Sequence, residues 1–413
     1  MTQHPPSFDR LYALDNLRAV MMWLGVVLHV AVIYMVAPSP LPWHDHQRSE
    51  VADILVVLIH SFRMPVFFIL AGFFVTMLVQ RRGVQGMLKN RLMRLGLPFV
   101  LLWPVIYGVC GLLALLFVHR MVRGTWGIEP SLIPPREDAP MWNTLHLWFL
   151  WMLMWFSLFT AALAPLARAT PSALRARLAA AFGRLAGSAW GFVVLAAPLA
   201  LLGAGYKDGF VSASGAFLPP LAEWLHNGWF YLFGLALYGQ RDRLLARYQR
   251  RWSAYVGAGL LCFAVALTLV GLHRDHGVAI SHFTFWFALA YNACTWLWSF
   301  ALIGLFLRYV SRPHPGLSYL AQSSYWVYLI HMPATIGFGA LLYGATLPAL
   351  IKMPLNIIAT TAVSLLTYHF LVRSTPLSSL LNGRRYPFTL FRGVPQRGER
   401  QSLAQEMANS STK

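Results

Sequence analysis

Apolar stretches of about 20 residues recur along the whole chain and constrain its fold more than any other feature. A stretch of this length crosses the hydrocarbon core of a bilayer as a helix, because a helix satisfies its own backbone hydrogen bonds. Composition agrees, since 57% of the 413 residues are hydrophobic and only 11% are charged, too few to cover a water-soluble protein. The sequence therefore predicts an all-α, polytopic membrane protein.

We predict about ten transmembrane helices from these stretches. Their approximate ranges are 13–36, 51–79, 95–118, 141–164, 188–205, 217–239, 252–272, 282–307, 317–343 and 353–372. The pattern divides the chain into a cytoplasmic N-terminus at 1–12, a transmembrane domain at 13–372 and a basic, mobile cytoplasmic tail at 373–413.

The lysines and arginines predict the orientation of these helices. With the N-terminus inside, 24 of the 33 basic residues fall in segments on the cytoplasmic side and 7 fall on the opposite side. Cytoplasmic loops carry such an excess, so both termini are predicted to be cytoplasmic. The same distribution explains the net charge of +19. We therefore expect the lipid bilayer, and no nucleic acid, as a partner.

The first predicted helix contains three titratable residues among apolar ones, in LDNLRAVMMWLGVVLHV. A charged residue at the centre of a spanning helix costs at least about 2.5 kcal/mol, so a sequence that keeps one usually uses it. At about 100° per residue, one face carries Asp15, Arg18, Met22, Gly25 and His29. Arg18 and His29 are about 16 Å apart along the axis. This face suits a helix that lines a cavity.

Further polar residues lie at similar depths on other predicted helices. A rise of about 1.5 Å per residue places them near the middle of the membrane or in its outer half. They are His60, Arg63, His146, Glu223, His226 and His331. We expect these side chains to converge with His29 on one cavity, which Arg18 bounds on the cytoplasmic side.

Structural roles are the alternative for several of these histidines. His146 and His226 are equally well explained as interfacial residues beside tryptophans. His331 is also explained as a packed histidine that donates to a neighbouring carbonyl. The same explanation is favoured for His369.

Arg63 has a structural alternative of its own. Pro65 leaves the carbonyl of Ser61 without its helical donor, and Arg63 is near enough in sequence to satisfy it. For Arg18 and His29 a structural role is less favoured, because two ionisable groups rarely share one face of a spanning helix by chance.

The pattern of polar residues favours acid–base chemistry without a metal. The histidines lie on separate helices without a compact ligand spacing, so we expect no metal site. The chain also has no glycine-rich phosphate loop and no GxSxG motif. What remains is an imidazole that can act as a general base, with guanidinium groups that can bind anions or stabilise developing negative charge.

With these motifs the chain resembles the type 3 membrane acyltransferases. Their signature is an arginine, ten residues and a histidine, matched by Arg18 and His29. Further matching segments follow in order: HSFRMPVFFILAGFF, the RxxR of Arg91 and Arg94, HLWFLW from His146, and SYWVYLIHMP ending near His331. The resemblance covers about residues 10–375 and departs at Asn16, where many relatives have glycine.

The resemblance implies a membrane O-acyltransferase whose catalytic residues include His29, Arg18 and Asp15. Succinyl-CoA or acetyl-CoA would be the donor substrate, with no permanently bound cofactor. Arg91 and Arg94 would bind its phosphates at the cytoplasmic surface. The thioester would then pass Arg18, and His29 would deprotonate an acceptor hydroxyl arriving from outside. The other polar residues of the cavity would bind the substrates.

Within the family, HSFRMPVFF and HLWFL most resemble members that act in glucan biosynthesis. This implies succinyl transfer to a periplasmic glucan or related glycan at the bacterial inner membrane. Arg63 would then pair with the second carboxylate of the succinyl group, because a buried anion needs a partner.

Two alternatives stay open at this point. The same machinery could transfer acetyl groups to a lipopolysaccharide, an exopolysaccharide or another small acceptor. A proton-coupled transporter also combines many helices with buried Arg and His, but it is expected to show paired broken helices in two related halves. No such internal symmetry is detectable in the sequence. Direct transfer and a covalent intermediate are both compatible with the residues.

Overall fold

The computed structural model of the protein describes residues 8–39, 41–133 and 142–388. Within these ranges the chain forms helices and no strand, which confirms the predicted all-α class. Twelve α-helices follow in order: α1 Phe8–Ala31, α2 Glu50–Arg91, α3 Leu97–Arg123, α4 Trp148–Ala169, α5 Ser172–Gly187, α6 Gly191–Ala204, α7 Leu221–Gly239, α8 Arg241–Val270, α9 Phe283–Tyr309, α10 Pro315–Leu342, α11 Ala349–Thr367 and α12 Pro376–Asn382.

Seven helical stretches of the described ranges are long and apolar enough to cross a membrane, or eight if the bent pair α5 and α6 forms one span. One of the seven, Glu50–Arg123, runs for 74 residues and includes two predicted helices joined by a π-helical turn at Leu92–Gly96. Helix α7, with 19 residues, was predicted as a span but is not among the seven. The chain is thus a multi-pass helical protein, while the count of ten and the orientation of the termini stay predictions.

Several helices extend beyond the apolar stretches that predict them. Helix α2 continues to Arg91 across a kink at Gly83, where φ is 69° and ψ is 175°. Helix α8 begins at Arg241. The apolar windows that predict these two helices end at 79 and begin at 252. Helix α5 was not predicted at all, and it is bent by 98° against α6. Hydropathy marks where a helix meets lipid, whereas alanine, leucine and arginine favour helix in water as well. The basic segments between predicted spans are therefore largely helical.

Part of the predicted tail packs against the helices. Arg373 is fully buried, and its guanidinium donates to the carbonyl of Pro387 and to Gln322 Oε1, both at 2.9 Å. Helix α12 contacts α10 and the π-helical turn after α2. The rest of the tail that the sequence predicts to be mobile, 389–413, lies outside the described residues, as does most of the predicted N-terminal segment.

Helix α1 lies among α2, α9, α10 and α11 and contacts all four. One face of this helix therefore reaches side chains from several neighbours. This central position brings His29 close to residues from distant parts of the sequence.

Helices α2 and α7 are in backbone contact through two glycines. A Cβ at Gly72 would overlap the carbonyl of Tyr231, and a Cβ at Gly234 would overlap the carbonyl of Ile69. Small residues allow such close approach of helices in membranes. The contact sets the distance between the polar residues that α2 and α7 carry.

Gly234→Ala should therefore destabilise the protein. The added Cβ meets backbone, which cannot rotate away, so α2 and α7 must separate and lose packing. We expect a lower thermal midpoint in detergent and a smaller yield of monodisperse protein. Gly239→Ala is the matched control, because Gly239 lies on the same helix with nothing within 4 Å of its Cβ position. Equal midpoints for both variants would contradict the close contact.

A buried ion pair anchors the loop between α1 and α2. Lys352 Nζ lies 3.0 and 2.9 Å from the two carboxylate oxygens of Asp45, and both side chains are fully buried. The Asp45 amide also donates to the carbonyl of Ile33, just after α1. Lys352 was predicted to lie in a loop, but α11 begins at Ala349 and includes it. The pair therefore joins α11 to the end of α1.

Lys352→Met should destabilise the protein by about 3–5 kcal/mol, because it leaves the Asp45 carboxylate buried without its cation. The double variant Asp45→Asn, Lys352→Met removes that charge and should recover most of the loss. Thermal unfolding of the purified variants in detergent measures both effects. A single variant as stable as the wild type would show that the carboxylate finds another partner.

Candidate active site

Three histidines and one arginine meet in the middle of the helix bundle. The ring centroids of His29 and His331 are 5.1 Å apart, and those of His331 and His146 are also 5.1 Å apart. Arg63 interacts electrostatically with all three rings. These residues come from α1, α10, the turn before α4, and α2. The structure thus brings together four of the residues that the sequence predicts to share a cavity, while their roles stay predictions.

A proline in α10 explains how His146 is held. Pro333 has no N–H, so the carbonyl of Leu329 lacks its helical donor. His146 Nε2 lies 3.1 Å from this carbonyl and 3.1 Å from that of Tyr328. The Tyr328 hydroxyl donates in return to the His146 carbonyl at 2.7 Å. His146 is buried in this arrangement.

The backbone also orients the His331 ring. Its Nδ1 lies 2.8 Å from the carbonyl of Tyr328 and 3.1 Å from that of Val327. Because carbonyls only accept, Nδ1 carries the proton and Nε2 of the neutral ring has a free lone pair. This Nε2 is buried without a partner, and so is Nδ1 of His146. His331 therefore packs as the structural alternative proposed, yet its other nitrogen remains available.

Arg63 is a buried cation beside this pair of rings. Its side chain donates to Met64 Sδ at 3.5 Å, and its Nε has no partner. A Cβ at Gly25 would lie 2.7 Å from Arg63 Nη1 and 3.7 Å from His331 Nε2. The glycine on α1 thus leaves room for the guanidinium one turn before His29. The hydrogen bond to the Ser61 carbonyl, the structural alternative, does not occur in the described structure.

His29 is half-buried, and the described structure shows no hydrogen bond from its ring to another residue. It is therefore free to contact a substrate. Around it stand two imidazole nitrogens with free lone pairs and a guanidinium N–H without an acceptor. Such a set can accept protons from hydroxyl groups and donate to a developing oxyanion.

A narrow pocket lies beside the histidine centre. His60 is exposed at its wall and interacts electrostatically with both Arg63 and His226. The other polar residues that line the pocket are Ser61, Asn227, Tyr291, Asn292 and Thr295. Glu223 Oε1 accepts from the Ser214 amide at 2.8 Å, in the loop whose earlier residues 209–213 help to line the pocket. Glu223 thus holds that loop in place.

A basic cluster lies at the predicted cytoplasmic end of α1. Arg18 and Asp15 form a half-exposed ion pair with a 3.2 Å separation. Arg91 interacts electrostatically with Arg18 and Arg94, and its Nε is buried without a partner. The RxxR pair and the first arginine of the signature therefore face one region, as the predicted binding of phosphates requires.

Two further observations concern His369 and the grouping of potential metal ligands. His369 packs on Phe388 and lies 3.3 Å from the Tyr319 hydroxyl. The sequence favours donation to a carbonyl instead, and the described residues show no such bond from this ring. Among the residues that the structure describes, no group of three or more His, Cys, Asp or Glu could hold a metal ion.

Sequence reasoning missed several residues of the site. Tyr328 and Pro333 lie within a recognised motif but were not singled out. Asn292 and Thr295 on α9 were also overlooked, although a buried amide in a spanning helix is a usable signal. Asp45 and Lys352 were missed because nothing in the sequence pairs two residues so far apart.

Comparison with known proteins agrees with this geometry. The sequence profile of a family described as an acyltransferase domain matches residues 11–369. The chain belongs to this acyltransferase family. This membership favours acyl transfer over the transporter alternative.

Curated relatives match a shorter part of the chain. Proteins named "Glucans biosynthesis protein C" from Escherichia coli strain K12, Shigella dysenteriae serotype 1 and Escherichia coli O1:K1 / APEC are each 31% identical to it over 155 residues. The match covers 37% of this chain and 38% of each relative, well under two thirds of their length. No solved structure matches the chain.

Proposed function

We propose that the chain transfers a succinyl group from cytoplasmic acyl-CoA to a hydroxyl of a periplasmic glucan, with His29 as the general base. The observation that carries the proposal is that α1 connects two distinct sites. Near one end, Arg18 of α1 lies beside Arg91 and Arg94. About 16 Å away along the axis, His29 of α1 lies beside the buried histidines and Arg63. A donor with phosphates at one end and a thioester at the other fits this separation of charge.

The donor would bind by its phosphates at the basic cluster. Arg91 Nε is buried without a hydrogen-bond partner, and the Asp15 carboxylate is paired with Arg18. Guanidinium groups bind phosphate oxygens through two parallel hydrogen bonds, so a polyanion would neutralise the repulsion between these arginines. The acyl group would then extend along α1 toward His29.

At the histidine centre, the acceptor would lose its proton to His29 as its oxygen attacks the thioester carbonyl. The Arg63 guanidinium is placed to interact with the carbonyl oxygen or with the distal carboxylate of the donor. The carbon–sulfur bond then breaks, and the protonated His29 returns its proton to the CoA thiolate. An ester and free CoA are the products, so protons and electrons balance. The glucan acceptor is supported by the names of the curated relatives.

His29→Ala should abolish acyl transfer and leave membrane insertion and abundance near normal, because alanine enters a bilayer more easily than histidine. Membrane vesicles with labelled succinyl-CoA, followed by analysis of the labelled glycans, measure the activity. His314→Ala is the control, because His314 is an exposed residue at the start of α10. Loss of protein instead of activity would assign His29 a structural role. Arg18→Ala should also remove most of the activity.

Arg63→Met tests the nature of the donor. A distal carboxylate that leaves water needs a cation, and Arg63 has no carboxylate partner among the described residues. We expect succinyl transfer to fall far more than acetyl transfer, whereas Arg63→Lys should keep part of the preference for succinyl-CoA. Rates with the two labelled donors measure the difference. Equal losses with both donors would mean that Arg63 supports the thioester chemistry and does not select the acyl group.

A further inference from the structure

The narrow pocket beside the histidine centre contains more polar groups than the transfer step uses. Asn227 on α7 and Asn292 on α9 are 7% and 5% exposed, respectively. Both side chains form hydrogen bonds with the ring of His226, and Nδ1 of that ring is buried without a partner. Buried polar groups are normally satisfied, so this nitrogen is available for a hydrogen bond with a bound molecule.

The walls of the pocket combine these groups with aromatic rings. Trp148 and Tyr291 line it together with His60, His226 and the two asparagines. Amides and neutral imidazoles can both donate to and accept from hydroxyl groups, while aromatic faces pack on the C–H faces of a ring. No carboxylate, lysine or arginine is among the residues that line the pocket. The chemistry suits a neutral ligand with several hydroxyl groups.

The pocket adjoins the proposed reaction centre through residues of α2, including Met64, which lines the pocket and accepts from Arg63. His60 lines its wall and interacts electrostatically with His226 on one side and Arg63 on the other. Arg63 follows His60 by three residues, which is about 4.5 Å along α2. A ligand in the pocket therefore lies next to an acceptor held at His29.

We propose that this pocket is a second acceptor subsite, which binds the hydroxyl groups of the sugar unit next to the one that is acylated. The inference rests on the proposed function and adds the substrate class that the subsite selects: an acceptor of at least two linked sugar units. Binding of the second sugar unit would hold a hydroxyl group of the first unit close to His29. The subsite would thus discriminate between chains and single sugars.

The test uses the full chain in lipid nanodiscs, where both faces are accessible, with labelled succinyl-CoA and labelled acetyl-CoA assayed separately. The acceptors are methyl glycosides of one and of two β-linked glucose units. The wild type should prefer the two-unit acceptor in kcat/KM. Asn227→Leu should lower kcat/KM for that acceptor about tenfold, the loss expected for one hydrogen bond. The value for the one-unit acceptor should stay within about twofold.

Two further variants make the result decisive. Asn292→Leu changes a pocket residue on another helix and should have the same selective effect. The Ala288 carbonyl that its amide contacts lies within α9 and keeps its helical N–H donor. Ser299→Ala is the control, because Ser299 lies on α9 two turns further on, donates to Thr295 and does not line the pocket. Equal losses with both acceptors, no loss with either, or a wild type without preference would each overturn the subsite. A wild type that transfers neither acyl group to any acceptor would instead contradict the proposed function.

Discussion

The carbonyl of Leu329 is the point on which the arrangement of the histidines depends. Pro333 removes its helical donor, and inside a bilayer no water replaces it. His146 supplies the hydrogen bond from another part of the chain and is thereby fixed against α10. The same turn of α10 orients His331 through the carbonyls of Val327 and Tyr328. The defect at Pro333 therefore holds His146, while other carbonyls of the same turn hold His331, and both imidazoles have defined tautomers.

These defined tautomers decide what the centre can bind. The rings of His146 and His331 each donate one N–H to the backbone and keep one free lone pair. The centre therefore accepts hydrogen bonds from a ligand more readily than it donates them. Arg63 supplies the donors that the rings lack. Hydroxyl groups and a carbonyl oxygen together would satisfy both requirements, which is the combination present when an alcohol attacks a thioester. The ion pair of Asp45 and Lys352 supports this centre indirectly, because it holds the end of α1 that carries His29.

Much of the fold and of the site could be predicted from the sequence. The physical basis of each prediction also explains what could not be predicted. Because a charged residue is costly in a bilayer, the sequence singles out Arg18, His29 and Arg63 as candidate site residues. The helical rise per residue then predicts their depths in the membrane. Gly25 was placed on the face of the first helix that suits a cavity, but not as the residue where Arg63 approaches α1. Hydropathy could not predict α5 or the extension of α2, because helices continue beyond the lipid. The contact of His146 with Leu329 depends on packing between α10 and a turn about 180 residues away, which no local pattern encodes.

The unpaired state of Arg63 is the strongest physical link between this fold and a reaction. A buried charge costs several kcal/mol unless a partner compensates it, and breaking a buried pair is strongly destabilising. A purely structural arginine would therefore be expected to contact a carboxylate or several carbonyls, as Arg373 contacts Pro387 and Gln322. Arg63 has instead a weak contact to Met64 Sδ and an unpartnered Nε. Under the proposed function, the negatively charged group of the donor would supply the compensating charge, and its binding would offset the cost of burying the guanidinium.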